Sequence, residues 1–262
     1  MTIFGGILVF IGIILFFIWR SQRNRLASIR SARLSTVADI QQIANAVAQE
    51  IGPGSWREYV KLQGKVQCNQ PLRSQIQQTE CVHYQTTVVR EYEEVTTQRD
   101  DQGNTTQETQ RKSETVASNT QSIPFQILDS TGQITVDPSG AEIETVQILE
   151  EFQPDTQQPG SRLSYGNFSF NLNTPNVGRT LGYRYKESIL PIDRDVLVLG
   201  MATDTTQDLT IRKPSDSTQK FILSLKIEEE LARAASRGTK QALYGMVICL
   251  TVGVILILIG LA

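Results

Sequence analysis

IFGGILVFIGIILFFIW, from Ile3 to Trp19, and ALYGMVICLTVGVILILIGLA, from Ala242 to Ala262, contain no charged side chain and bracket a polar middle. The hydrocarbon core of a bilayer is about 30 Å thick, and about 20 apolar residues cross it at about 1.5 Å each, with about 17 as the lower limit. The second stretch meets this easily and the first just reaches it. We therefore expect a mainly β (α+β) soluble domain held between two terminal transmembrane α-helices, 3–19 and 242–262.

Charge sets the orientation. Arg20, Arg23, Arg25, Arg30 and Arg33 follow the first stretch with no acidic residue among them, whereas Met1 to Gly6 carries no charge. Arg233, Arg237 and Lys240 precede the second stretch, and nothing basic follows it. Basic flanks stay on the cytoplasmic side, so the expected topology places the domain in the cytoplasm and both termini outside. A cleaved signal peptide has its charge before the apolar core and small residues at the cut; here the charge comes after, beside Phe16, Phe17 and Trp19. The first stretch reads as an uncleaved anchor.

The 262 residues hold 25 Lys and Arg against 27 Asp and Glu, which leaves no nucleic-acid footprint. The arginines after the first span are read as a topology signal, with anionic headgroups as a second reading worth about 1 kcal/mol per charge. Of three cysteines, Cys249 lies in the second span, so only Cys68 and Cys81 belong to the domain. Such scarcity fits a reducing compartment, with one disulfide left open.

In the basic juxtamembrane segment 20–55, Leu34, Val37, Ile40, Ile43, Val47 and Ile51 recur every three or four residues, which predicts an amphipathic helix. Thr36 with Asp39 gives it a capped start and Gly52-Pro53-Gly54 an end. From Trp56 the pattern turns to short runs rich in Val, Ile, Thr and Tyr, separated by Gly, Pro, Asn and Asp. These predict strands at 59–66, 81–95, 122–129, 133–137, 141–150, 179–190, 193–202, 209–211 and 221–224. One β domain over 56–230 follows. Within it, 93–121 is nearly devoid of bulky apolar residues and centres on Asp101-Gln102-Gly103-Asn104, a polar hairpin or a disordered insertion. A second irregular insertion, 154–175, is expected at the surface. A helix from Ile227 to Gly238 leads through the juxtamembrane stretch 231–241 into the second span, with a break at Gly238.

Several of these segments resemble a known family. Leu62-Gln63-Gly64-Lys65-Val66, Pro71-Leu72-Arg73-Ser74 and Cys81-Val82-His83-Tyr84 look like the opening block of the GIDE domain, also called the beside-a-membrane (BAM) domain. Phe125 to Glu144, with Asp129, Gly132, Pro138 and Gly140-Ala141, is similar to its second block. Glu187-Ser188-Ile189-Leu190 and Val196 to Gly200 resemble the third. The resemblance covers Trp56 to Glu230, and the two flanking helices fit it. It implies a ubiquitin ligase (RING-type ubiquitin transferase), after the mitochondrial and plastid membrane ligases, in which a C-terminal RING follows the second span. The two zinc sites of a RING need eight Cys or His ligands, and this sequence offers three Cys and one His. We therefore expect one of the shorter two-span members, of bacterial and cyanobacterial type, without the RING.

Cys81 and His83 are the one pair that invites a catalytic reading. Residues two apart on a strand share a face, which brings thiol and imidazole together as in a Cys/His hydrolase. No third group is evident, and Cys is among the most buried residue types, so packing is the simpler reading. With Cys68 they still fall short of a zinc site, and scattered glycines form no phosphate loop. The sequence thus points to no catalytic residues, metal or cofactor. What it describes is a binding or scaffold module at a membrane surface, with the lipid bilayer and an unidentified protein as partners and no nucleic acid.

Overall fold

A computed structural model describes residues 2–99, 105–155, 162–165, 168–171, 178–204 and 209–261. In chain order the elements are α1 (Thr2–Ser31), β1 (Arg33–Leu34), α2 (Val37–Ile51), β2 (Arg57–Gln67), β3 (Leu72–Arg73), β4 (Glu80–Arg99), β5 (Thr105–Ser122), β6 (Phe125–Leu128) and β7 (Gln133–Val136). There follow β8 (Glu142–Ile143), β9 (Val146–Pro154), β10 (Arg162–Tyr165), β11 (Phe168–Asn171), β12 (Arg179–Pro191), β13 (Asp195–Thr203), β14 (Thr210–Arg212), β15 (Ile222–Ser224) and α3 (Glu228–Leu261). The fold is mainly β between two terminal apolar helices, each long and apolar enough to cross a membrane.

The stretch 56–230, read above as one domain, is shared between two compact units. The first comprises Met1–Val66, Gln126–Ile143 and Asp195–Ala262, the second Gln67–Phe125 and Glu144–Arg194.

In the first unit β2, β6, β7, β14 and β13 pair in that order, and β13 pairs back onto β2. Numbered along the chain, the ring runs 1-2-3-5-4-1, with the third and fifth strands parallel. This is a five-stranded Greek-key barrel of the OB type. Val60, Leu62 and Val66 of β2 and Val196, Val198 and Ala202 of β13 are buried inside, with Ile127, Val136 and Ile211. The alternate residues, Tyr59 on β2 with Leu197 and Leu199 on β13, are buried too, clustered with Ile29, Ala32, Leu231 and Ala235 of the helices. β13 is therefore covered on both faces, which explains its unbroken apolar run.

α1 and α3 pack antiparallel. Gly5 lies against Gly253 and Ile257, Gly12 against Leu250, Gly245 against Leu15 and Gly238 against Gln22, small residues letting the backbones approach. α3 continues through Gly238 without the expected break. α2 begins as expected, with Thr36 and Asp39 forming a capping box, and ends at Gly52.

The second unit is a sheet ordered β5-β4-β12-β9, with β3 also on β4. β4 and β5 form a long hairpin, paired from His83↔Ser122 to Arg99↔Thr105, which takes the first of the two forms, hairpin or disordered insertion, considered for 93–121. Its turn, 101–104, lies outside the described residues. The 154–175 insertion contains a small antiparallel pair, β10 with β11, and otherwise lies largely outside the described residues.

Candidate functional site

The second unit's sheet has one buried and one solvated face. Tyr84, Thr86, Val88 and Arg90 of β4 and Tyr183, Tyr185, Glu187 and Ile189 of β12 are buried, while the residues between them are mostly exposed or half-buried. The two strands pair Tyr84↔Ile189, Thr86↔Glu187 and Val88↔Tyr185, which puts a carboxylate in the middle of the apolar face.

Glu187 is fully buried and accepts four hydrogen bonds. Oε1 takes Ile76 N–H at 2.7 Å and Thr86 Oγ1 at 3.1 Å. Oε2 takes Gln77 N–H at 2.8 Å and Ser74 Oγ at 3.0 Å. Ser74 Oγ also accepts from Thr79 N–H at 3.1 Å, and Ser74 N–H donates to Thr79 O at 2.9 Å. The carboxylate thus closes the tight turn 74–79 onto the sheet and sets Ile76 against Val88, Tyr183 and Tyr185. Its acceptor sites are occupied, so it is a structural clamp rather than a free base.

The structure separates the Cys/His pair. The β4–β12 register slips between Cys81↔Pro191 and His83↔Leu190, a bulge that places one extra residue, Val82, between them. Cys81 consequently shares the face of Tyr84 and Ile189, with which it forms a buried cluster, and His83 points to the other side. There His83 Nδ1 is 2.7 Å from Ser122 Oγ. Burial, reinforced by the nearby Glu187 charge, pushes the Cys81 thiol up to about 11, away from the thiolate form. Burial also lowers the His83 pKa. The expectation that two-residue spacing unites them fails because the bulge shifts the side-chain alternation by one.

The family-type residues fall into two groups. Ser74 and Glu187 meet directly, and Leu72, Cys81 and Tyr84 line the adjoining cluster, with Pro71 just before β3. In the first unit, Gly64 lies where a Cβ would be 2.6 Å from Ile127 Cγ2 and Leu128 O, and Gly200 where it would be 2.6 Å from Ile211 Cγ2. Both permit close contact inside the barrel. Pro138 opens a turn, its carbonyl accepting from Ala141 N–H. Gly132 packs against Val37 beside Asp129. Asp129 Oδ2 accepts Val37 N–H at 2.8 Å, and Oδ1 accepts Thr131 N–H, Thr131 Oγ1 and Gly132 N–H. Burial raises the Asp129 pKa, but these bonds outweigh it and hold the group below its ordinary value. The β6–β7 turn is thereby a second cap on α2.

Sequence reasoning missed Thr86, Arg90 and Asp204. Thr86 and Arg90 lie on the predicted strand, but only the register against β12 and β5 shows what they meet. Arg90 is buried, reaching Thr180 Oγ1 and Glu114 Oε1, each at 2.8 Å. Asp204 accepts Gly54 and Trp56 N–H at 3.0 and 3.1 Å.

The solvated face carries a charge ladder: Arg184 pairs with Glu91 at 2.7 Å, Lys186 with Glu150 at 3.1 Å and Arg111 with Glu93 at 3.5 Å. A shallow groove of about 340 Å³ runs among Glu91, Glu114, Arg184 and Lys186. Its cations already face carboxylates. Among the described residues no group of three or more His, Cys, Asp or Glu is placed to hold a metal ion.

A family model described as GIDE, E3 Ubiquitin ligase, matches residues 93–259, more than half of the chain. It begins beyond the Leu62–Val66, Pro71–Ser74 and Cys81–Tyr84 motifs and includes Glu187, to which Ser74 is bonded. No curated protein and no solved structure matches.

Proposed function

The chain belongs to the GIDE family, and on that premise we propose that it is a membrane-anchored binding module whose second unit recruits a protein partner beside the bilayer. The observation that carries this reading is the open sheet edge. β5 pairs only with β4 among the described strands, which leaves the outer backbone groups of an 18-residue strand available to an added strand. The neighbouring polar groups support binding rather than turnover: Glu187 is saturated, Cys81 is held as a thiol, and the groove's charges are paired. In this reading the domain is cytoplasmic and both termini lie outside, after the basic flanks of both helices.

The test compares the full-length chain with one whose hairpin is shortened. Tyr92 and Lys112 are register partners, so joining them through an Asn-Gly turn preserves the pairing below and the Val116 and Ala117 packing. A photo-crosslinker at Ser113, on exposed β5, is expected to capture one defined partner in native membranes. Loss of that partner with the short hairpin supports the proposal; identical capture by both, or none by either, refutes it.

Ubiquitin transfer, named in the family's description, is the alternative activity. Three Cys and one His do not supply the eight ligands of a RING. Discharge of a ubiquitin-charged conjugating enzyme by the purified chain would favour transfer over binding alone.

A further inference from the structure

The helix pair does more than join the barrel to its anchor. Gln22 lies beside Gly238 and Leu15 beside Gly245, so in this antiparallel pair Arg20 stands level with Lys240 and Arg23 with Arg237. Two basic clusters more than 200 residues apart in sequence form one belt. All four side chains are exposed, and none has a carboxylate partner among the described residues. Arg23 stacks 5.3 Å above the Trp19 ring. No acidic residue occurs in 1–38 or 231–262, and Glu230, the glutamate of α3 nearest the belt in sequence, lies about 10 Å along the axis before Arg237.

Height fixes the counter-charge. Arg20 and Arg23 stand about 1.5 and 6 Å along the axis beyond Trp19, and Lys240 and Arg237 about 3 and 7.5 Å before Ala242. The headgroup layer on each side of the hydrocarbon is about 5–7 Å deep. Four cations from two helices therefore sit at the depth of the lipid phosphates.

We propose that this belt is a binding site for anionic phospholipid headgroups in the leaflet facing the domain, built by the register of α1 against α3. It rests on the two-span reading and is independent of the protein partner.

The full-length chain in neutral detergent is titrated with phosphatidylglycerol or phosphatidylcholine, and bound lipid is read by native mass spectrometry. Phosphatidylglycerol is expected to bind at least about tenfold more tightly, with the preference falling as salt rises. Arg23→Gln and Lys240→Gln should each weaken it about fivefold, from about 1 kcal/mol per charge, and Lys65→Gln on the barrel should not. Equal affinities for the two lipids, or an unchanged preference when all four positions are Gln, would overturn the proposal. Alkaline extraction of native membranes separates the premise: release of the chain would refute the two spans themselves.

Discussion

Replacing Glu187 by Gln tests whether the buried carboxylate is the clamp on the 74–79 turn. Each of its oxygens takes one backbone N–H, Ile76 on Oε1 and Gln77 on Oε2, as well as one hydroxyl. A hydroxyl rotates to accept a bond, but a backbone N–H does not. Whichever way the Gln amide is turned, its NH₂ meets one of the two N–H groups and leaves it without an acceptor. A buried donor left unsatisfied costs about 1–3 kcal/mol, and bonds to a charged group are worth about 1.5–3 kcal/mol each. We expect a loss of about 3 kcal/mol, which speeds exchange at the Ile76 and Gln77 amides about 150-fold. Glu187→Ala, stranding both N–H groups, should lose about 4–5 kcal/mol. Hydrogen exchange of the full-length chain in detergent, read on the peptide covering 74–79, measures this locally. A Gln variant within about 0.5 kcal/mol of the parent, with unchanged protection at both amides, would refute the reasoning.

Burial should keep Cys81 unreactive toward iodoacetamide at pH 8 while half-buried Cys68 alkylates; equal rates would contradict the placement of Cys81. Its thiol, lifted from 9.0 to about 11, also makes stability pH-dependent. The unfolded chain loses the proton first, so stability is intact below pH 9 and falls by about 2–3 kcal/mol toward pH 11, a slope that Cys81→Ala removes in alkaline denaturation. Gly64→Ala drives a Cβ into Leu128 O, a backbone atom that cannot turn aside, and should cost about 1–3 kcal/mol in thermal unfolding; Gly6→Ala, with open space around it, should not destabilise. Asp129→Ala removes the second cap of α2, at about 1–2 kcal/mol near neutral pH. Because its folded pKa is depressed, that stabilisation holds above the ordinary carboxylate range and is lost as pH falls through the depressed value, so parent and variant should converge in acid unfolding.

Local signals read well because they depend on few neighbours. Thr36 and Asp39 close a box within four residues, and β-branched runs at 133–137, 179–190 and 221–224 became β7, β12 and β15. What escaped the sequence is set by distant pairing. The chain leaves the first unit near Gln67 and returns at Gln126, then leaves again at Glu144 and returns at Asp195, with no compositional break at any crossing. The barrel closes through β2 against β13, whose paired residues are 130 or more apart in sequence. A single bulge beside Val82 turned an apparent Cys/His pair into residues on opposite faces. Glu187 was visible as a motif residue, but its four donors lie about 100 residues earlier, where nothing in the spacing marks them.

The family-type residues share a physical character that bears on function. Gly64 and Gly200 allow strands to approach inside the barrel, Gly132 accommodates the Asp129 cap, and Ser74 and Glu187 close a turn. Each does a folding job, so matching them identifies a fold and says nothing of a reaction. The polar features that these residues do not build are the open edge of β5, the charge ladder of the solvated face, and the exposed cations of the helix pair. All three are polar and at least partly exposed to solvent, whereas the buried groups Cys81, His83 and Glu187 are shielded by packing. The binding role proposed above calls for such a division, with rigid buried contacts inside and exposed polar edges outside.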